Sequence, residues 1–257
     1  MLDYVVLLWV FFLGACIGSF LNVCIYRIPA GLSIVQPPSR CPHCETQIRW
    51  WQNIPIASWM FLRGKCATCK AKISVRYLLV EGLTGLLFLK IFTIFSLHPA
   101  TLVFWLFAAG LVTLTFIDLD HQIIPDVISL PGIILGFATV SLTPLSWSNS
   151  FLGILLGGGS LWLIAIIYEF LTKNEGMGGG DIKLLAMIGA FLGWKAILPI
   201  IFISSCLGTI VGIPVMLRQR ASGKLAIPFG PFLSAAALIW LFWGGALLRW
   251  YLGFFRY

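Results

Sequence analysis

The chain has 257 residues, of which 60% are hydrophobic and only 10% are charged, and its mean hydropathy is +0.98. An ordinary soluble domain is about 45–50% apolar and about 25% charged, so this composition excludes a water-soluble enzyme. At roughly 20 apolar residues per spanning helix, the chain has room for about eight transmembrane helices and one modest polar domain. The formal net charge is +8, and the positions of the basic residues are more informative than their total.

Long apolar runs predict an all-α, polytopic membrane protein with about eight transmembrane helices. Each run is expected to be helical, because lipid offers no hydrogen-bond partners to a free backbone. The run at 182–192 is too short to cross about 30 Å of hydrocarbon alone, so we expect it to tilt, to continue into its flanks or to lie in a thinned bilayer. The eight apolar runs are 3–26, 77–97, 100–117, 127–145, 151–171, 182–192, 196–217 and 231–250.

The first 26 residues are predicted to be a retained transmembrane helix. The stretch 13–16 resembles a signal-peptide cleavage site, but the segment has no Lys or Arg, and a secretory signal needs a basic start. The segment 27–76 carries eight basic residues against the single acid Glu45. By the positive-inside rule this segment is cytoplasmic, which places the N-terminus outside. Residues 77–257 are expected to form the helical membrane domain.

Two Cys-x-x-Cys pairs lie in the cytoplasmic segment, at Cys41 and Cys44 and at Cys66 and Cys69. Each pair bends the backbone so that two thiolates meet one tetrahedral ion, and two pairs separated by roughly 20 residues complete a four-sulfur zinc site. The alternatives are two disulfides, which a reducing cytoplasm disfavours, or four unpaired thiols. We expect one structural zinc ion, because a four-sulfur site has no open coordination position.

The other residues around these pairs are expected to have no ligand role. His43 lies inside a pair and is interpreted as a bystander. Aromatic and basic residues alternate between the pairs at 49–51 and 59–61. They are compatible with nucleic-acid binding, but a small zinc domain at the membrane surface accounts for them, because Trp side chains favour the headgroup layer. We therefore expect no nucleic-acid partner.

Acidic residues are scarce, and several lie in two groups at predicted span ends. Asp118, Asp120 and Asp126 follow the third span, and Asp181 follows the glycine-rich stretch 176–180. An ionisable group at membrane depth is costly and is a functional candidate. Two carboxyl groups held close together share one proton, so that one acts as general acid while the other activates water. The alternative is structural, with Asp118 or Asp126 capping interfacial helices and Asp181 serving as an N-cap.

Four motifs in the chain resemble those of the type IV prepilin peptidases. Gly178-Gly179-Gly180-Asp181 resembles their Gly-x-Gly-Asp motif, and Asp118 followed by Ile124-Pro125-Asp126 resembles their other aspartate motif. The stretch 18–29 resembles their N-terminal signature, and the paired cysteines match their cytoplasmic loop. Presenilin-type intramembrane proteases share the Gly-x-Gly-Asp motif alone. The four motifs in this order are specific, and the resemblance covers essentially the whole chain.

The resemblance implies a bifunctional enzyme of the bacterial cytoplasmic (inner) membrane. It would cut the basic leader from prepilins or pseudopilins and then N-methylate the new N-terminal residue with S-adenosylmethionine. By motif position, the catalytic pair falls on Asp118 and Asp181. The resemblance places methylation in the cysteine loop and the stretch after it, where Arg76 and Glu81 are candidate cofactor contacts. In that stretch Leu78 stands where many relatives have proline.

The other charged residues near the aspartates have less definite roles. Asp120 occupies a position where relatives often carry other residues, Asp126 is expected to cap a helix or shape a loop, and Lys183 has no assigned role. One alternative is a peptidase without methyltransferase activity, which the intact cysteine set disfavours. The other is a transporter that binds a cation through Asp118, Asp120 and Asp181. The position of these acids at span ends, without an inverted repeat, disfavours a transporter.

Overall fold

The computed structural model describes residues 4–173, 178–219 and 228–253. Within these ranges the regular structure is helical, apart from two isolated β-bridges, Arg40 with Gln47 and Lys65 with Lys72. The predicted all-α fold is confirmed. The α-helices are α1 (Tyr4–Arg27), α2 (Ala57–Phe61), α3 (Val75–Phe95), α4 (Ala100–His121), α5 (Asp126–Ala138), α6 (Trp147–Thr172), α7 (Gly179–Leu192), α8 (Trp194–Gln219) and α9 (Gly230–Gly253).

Six of the described helices, α1, α3, α4, α6, α8 and α9, are long and apolar enough to cross a membrane. The other two predicted spans are shorter, since α5 has 13 residues and α7 has 14. The expected count of eight spanning helices is therefore not confirmed.

The prediction of one helix over 127–145 is wrong beyond Ala138. Thr139 is the C-cap of this helix, a short 3₁₀ turn follows at Val140–Leu142, and Pro144 cannot continue an α-helix.

The described helices divide into two compact units, with the boundary inside α4 after Thr113. In the first unit α1 packs along α3, and Asn22 Nδ2 donates a hydrogen bond to the Tyr77 carbonyl at 3.3 Å. Trp105 stacks on Phe88 with ring centroids 4.8 Å apart, and its indole N–H donates to the Phe88 carbonyl at 2.9 Å. The cysteine loop therefore leaves and re-enters a pair of packed helices, which fixes both of its ends.

In the second unit α7 is the central helix, packed against α5, α6, α8 and α9. Its residues 184–191 are all buried. Helix α6 approaches it through two glycines, because a Cβ added to Gly153 would overlap the Gly189 carbonyl oxygen and the reverse is also true. The Ser150 hydroxyl donates to the Ala190 carbonyl at 2.7 Å beside this contact. This packing fixes the position of the residues at the start of α7.

The helices of the second unit connect two ends. At one end Phe137 contacts Trp147, with ring centroids 4.9 Å apart, and the Trp194 indole N–H donates to Asn149 Oδ1 at 3.1 Å. At the other end lie the C-terminus of α4 and the N-termini of α5, α7 and α9, joined by side-chain contacts. Helix α6 has 26 residues and is about 39 Å long, and its contacts with α7, from Gly153 with Gly189 to Gly158 with Ile182, lie in its first half. Helices α5 and α7, with 13 and 14 residues and a length of about 20 Å each, run in the opposite direction to α6.

Candidate active site and metal centre

Asp118 lies in the last turn of α4, and only 5% of its surface is exposed. The Gln122 N–H donates to the Asp118 carbonyl at 2.9 Å and closes this turn, so Asp118 is inside the helix and does not cap it. A buried carboxylate is costly unless it is hydrogen-bonded. Its Oδ2 accepts the backbone N–H of Gly230, the first residue of α9, at 2.9 Å.

Asp181 is the third residue of α7 and is partly buried. The N-cap position belongs to Gly178, so Asp181 does not serve as the N-cap. Asp181 lies close enough to Asp118 for the charges of the two carboxyl groups to interact. The structure thus brings together the two aspartates that the sequence singled out, one from α4 and one from α7.

Ile124 fills the space between the chain segments that carry the two aspartates. A Cβ added to Gly180 would lie 2.9 Å from Ile124 Cβ, and one added to Gly230 would lie 3.3 Å from Ile124 Cδ1. Gly180 precedes Asp181 in the chain, and Gly230 donates to Asp118. Three segments that are distant in sequence therefore meet on one apolar side chain, which fixes their spacing.

Asp126 is the first residue of α5 and forms an ion pair with Lys183 of α7. Lys183 Nζ lies 2.7 Å from Oδ1 and 2.8 Å from Oδ2 of the carboxylate. The N-cap position of α5 is Pro125, so the capping role expected for Asp126 is wrong. Asp126 shapes the connection by holding the starts of α5 and α7 at the same level. Asp120 is exposed.

The sequence did not predict two contacts of this site, the hydrogen bond from Gly230 to Asp118 and the ion pair of Asp126 with Lys183. The predicted apolar run begins at Pro231, one residue after Gly230. A proline just inside a helix start is a recognised signal, and it could have drawn attention to the Gly230-Pro231 step. The pairing of Asp126 with Lys183 joins residues 57 positions apart, and no local pattern indicates it.

The four cysteines of the segment 27–76 converge in the first unit. Their Sγ atoms all lie within 4.8 Å of one another. Cys41 is 3.8 Å from Cys69, and Cys44 is 4.0 Å from Cys66. A tetrahedral zinc ion with Zn–S bonds of about 2.3 Å holds its sulfurs about 3.8 Å apart. None of the described cysteines forms a disulfide, so the four sulfur atoms fit one tetrahedral metal ion.

The two cysteine pairs share one backbone arrangement. The Cys41 carbonyl accepts the Glu45 N–H at 2.9 Å, and the Cys66 carbonyl accepts the Lys70 N–H at 3.1 Å. Glu45 and Lys70 have φ angles of 54° and 60°, so the chain turns sharply after the second cysteine of each pair. Each turn brings the two sulfurs of its pair to the same side of the backbone.

Hydrogen bonds and neighbouring groups shift the pKa values of the clustered thiols. Side-chain and backbone hydrogen bonds with Thr46 lower the pKa of Cys44 to about 6, and the backbone N–H of Cys69 lowers the pKa of Cys66. Although the Ala71 N–H lowers it, desolvation and the neighbouring thiols together raise the pKa of Cys69 to about 11. Four thiolates this close repel one another unless a cation neutralises them, and zinc binds the thiolate form.

A cavity of about 310 Å³ opens between the cysteine pairs and the start of α3. Glu81 and Trp59 line it, and so does His43, which lies outside the group of clustered cysteine ligands. Glu81 is buried, and its Oε2 accepts the Ile56 N–H at 2.7 Å. Arg76 is not among the described residues that line this cavity. Of the two candidate cofactor contacts, Glu81 is the one at the cavity.

Comparison with known proteins places this architecture in a family. Residues 12–95 match the bacterial peptidase A24 N-terminal domain, and residues 105–213 match the type IV leader peptidase family. The chain belongs to the type IV leader peptidase family. The first match contains the four cysteines, and the second contains Asp118 and Asp181. Gly230 lies beyond both matched ranges.

Three curated relatives carry the name prepilin leader peptidase/N-methyltransferase. The protein of Stutzerimonas stutzeri is 38% identical over 268 residues, covering 95% of this chain and 93% of the relative. That of Pseudomonas aeruginosa is 37% identical and covers 94% of this chain and 92% of the relative. That of Neisseria gonorrhoeae is 40% identical and covers 88% and 87%. None of the solved structures matches the chain significantly.

Proposed function

We propose that this protein cleaves the basic leader from prepilins or prepilin-like pseudopilins and then methylates the new N-terminal amine. Relatives at about 38% identity that cover almost the whole chain are named for both activities. The observation that carries the peptidase proposal is the pair of aspartates that α4 and α7 bring together. The intact four-cysteine cluster favours a bifunctional protein over a peptidase alone.

In this proposal Asp118 and Asp181 act as a pair that carries one proton. The ionised carboxylate takes a proton from a water molecule as the water oxygen attacks the scissile carbonyl carbon. The protonated carboxyl group gives its proton to the carbonyl oxygen, which forms a tetrahedral gem-diol intermediate. When the C–N bond breaks, the proton taken from water passes to the departing nitrogen, which becomes the new N-terminal amine. The other carboxylate recovers a proton from a hydroxyl group of the intermediate, so the pair again carries one proton.

The location of the charges supports cleavage at the cytoplasmic face of the bacterial inner membrane. Eight basic residues in 27–76, and three more in 218–224, lie on the side assigned to the cytoplasm. A prepilin has a basic leader followed by an apolar helix, so its scissile bond lies at this face. Asp118, in the last turn of a candidate span, and Asp181, at the start of α7, suit that depth. We propose that α5 and α7, each about 20 Å long, cross a locally thinned bilayer beside α6, giving eight crossings.

We propose that the four clustered cysteines hold one structural zinc ion. Four thiolate ligands close the coordination shell, so the ion has no position for substrate or water. Within the cysteine loop the described helical structure is a four-residue 3₁₀ turn and the five residues of α2. So small an element has little core of its own, and metal binding would supply folding free energy. The ligands are Cys41, Cys44, Cys66 and Cys69.

The cavity beside the zinc cluster is the proposed site of the methyl donor. S-adenosylmethionine supplies an electrophilic methyl group on a positively charged sulfur. The cavity volume of about 310 Å³ lies within the range of small-molecule sites. Its lining combines the Glu81 carboxylate with the rings of Trp59 and Tyr77, and aromatic faces attract cations. These three residues would hold the positively charged end of the donor.

A peptide that joins a basic leader to an apolar helix tests both activities in detergent or liposomes. We expect mass spectrometry to show a shortened peptide, and addition of S-adenosylmethionine to add one methyl group to its new N-terminus. An intact peptide after incubation with folded protein would contradict the proposal. Cleavage without methylation, with a full complement of zinc, would leave a peptidase alone.

A further inference from the structure

The hydrogen bond from Gly230 to Asp118 joins the start of one helix to the buried end of another. The first N–H groups of a helix have no partner within it, and the start of a helix carries partial positive charge. Helix α9 starts here with a regular turn, since the Phe229 carbonyl accepts the N–H groups of Phe232 at 3.0 Å and Leu233 at 3.1 Å. The Gly230 N–H is therefore not used in a hydrogen bond within the helix, and it donates to the Asp118 carboxylate.

Residue 230 has room for glycine alone in this arrangement. An added Cβ would lie 2.6 Å from Asp118 Oδ2, whereas ordinary contacts of a Cβ are 3.4–4 Å. The same Cβ would approach Ile124 Cδ1 at 3.3 Å. Gly230 and Asp118 are both buried, so the carboxylate has no solvent to move into. Because Gly230 has no Cβ, its backbone N–H can come close enough to the Asp118 carboxylate to donate a hydrogen bond.

The hydrogen bond makes the two oxygens of Asp118 inequivalent. Oδ2 accepts the Gly230 N–H, so Oδ1 is left for water and for Asp181. A donor at a helix start stabilises the ionised form of a carboxyl group more than the neutral form. The proton shared by the pair is therefore directed toward Asp181.

We propose that Gly230 is a positioning residue of the peptidase. Its N–H keeps Asp118 ionised with Oδ1 facing the water, so that Asp118 is the general base and Asp181 the general acid. This inference rests on the proposed catalytic roles of the two aspartates. Gly230, from which these roles of Asp118 and Asp181 are inferred, lies outside both matched family ranges.

The most direct test replaces the amide N–H of residue 230 by an ester oxygen, with glycolic acid in place of Gly230. This change removes the donor and adds no volume. The matched control is the ester at Phe232, whose N–H bonds within the same helical turn and does not reach Asp118. Both proteins are assayed for cleavage as a function of pH and for methylation of a peptide that has already been cleaved.

We expect the ester at 230 to lower kcat for cleavage about 10- to 100-fold, the effect of losing one hydrogen bond to a charged group. The acid limb of its pH–rate profile should move to higher pH by about 1 unit, since tenfold in an equilibrium corresponds to one unit. KM and methylation should remain unchanged. The titratable groups on α4, α5 and α7 near Asp118 are Asp120, His121, Asp126, Asp181 and Lys183, and those of α9, Arg249 and Tyr251, lie in its last turns.

A second pair of variants uses natural side chains. Gly230→Ala should lose cleavage through its clash with Asp118, and Gly245→Ala on the same helix should keep it, because the nearest atom to the new Cβ is Arg249 Nη1 at 3.8 Å. Equal behaviour of the 230 and 232 esters, or a reduced rate with an unmoved acid limb, overturns the positioning role. Asp118→Asn is measured in parallel. If it cleaves normally, the catalytic assignment itself has failed. If it is inactive while the 230 ester is normal, only the inference about Gly230 has failed.

Discussion

Replacing Gly153 with alanine should inactivate the peptidase from a distance, by forcing α6 away from the helix that carries Asp181. The new Cβ would overlap the Gly189 carbonyl oxygen and lie 2.8 Å from the Gly189 carbonyl carbon and 2.9 Å from that of Gly193. Ordinary contacts start at 3.4 Å, so α7 must recede by at least about 0.6 Å. The obstructing atoms are backbone, which cannot rotate away. Overpacking of this kind costs about 1–3 kcal/mol.

A shift of this size at the catalytic pair has a large effect on rate, because a misplacement of about 1 Å can cost about 100-fold. We expect Gly153→Ala to lower kcat for cleavage about 10- to 100-fold and to lower the melting temperature in detergent. Gly159→Ala on the same helix is the matched control. Its Cβ meets nothing within 4 Å, and alanine favours a helix over glycine by up to about 1 kcal/mol. Cleavage and melting of Gly153→Ala that match those of the control would refute this account of the α6–α7 contact.

The other predictions concern the metal, the ion pair and pH. Replacing Cys41 and Cys44 with serine should remove the one bound zinc per chain, measured by elemental analysis, and reduce methylation more than cleavage; zinc-free wild-type protein that is folded and active would contradict this. Lys183→Met should lower cleavage severalfold and destabilise the fold by less than about 1 kcal/mol, because the pair is 38% and 55% exposed. Exchanging the charges with Asp126→Lys and Lys183→Asp should recover part of the cleavage rate. A rate that does not recover would contradict a role of this ion pair in cleavage. The cleavage rate should fall on both sides of an optimum, because the aspartate pair works with one proton, gains a second at low pH and loses the first at high pH. A rate that stays flat above the optimum would contradict a shared proton.

The fold class and the candidate residues could be predicted because lipid limits the choices that a sequence has. A run of about 20 apolar residues has few uses other than a membrane helix, and the observed helices follow the predicted runs. Charged residues are so scarce that Asp118 and Asp181 were identifiable as exceptions. The spacing of Cys41, Cys44, Cys66 and Cys69 is restrictive for a similar reason, since few folds need two such pairs.

Other features depend on contacts between distant parts of the chain. Gly230 donates to Asp118 across 112 positions, and a backbone N–H has no side-chain signature. The end of α5 at Ala138 was not predicted, because Thr139 and the 3₁₀ turn that follows it are compatible with an apolar run. Apolar periodicity reports where helices lie, and it does not report which of their polar ends meet.

The central claim is that Asp118 and Asp181 together hydrolyse the leader peptide bond. It is tested most directly by the single-turnover cleavage rate of Asp118→Asn and Asp181→Asn, with Asp120→Asn as the matched control on the same helix. All three proteins should keep their zinc and their ability to methylate a peptide that has already been cleaved. The account predicts that the first two variants do not cleave and that Asp120→Asn retains substantial activity. Cleavage by Asp118→Asn together with an inactive Asp120→Asn would show that the wrong acid of α4 has been assigned. Cleavage by both Asp118→Asn and Asp181→Asn would contradict the aspartate-pair mechanism.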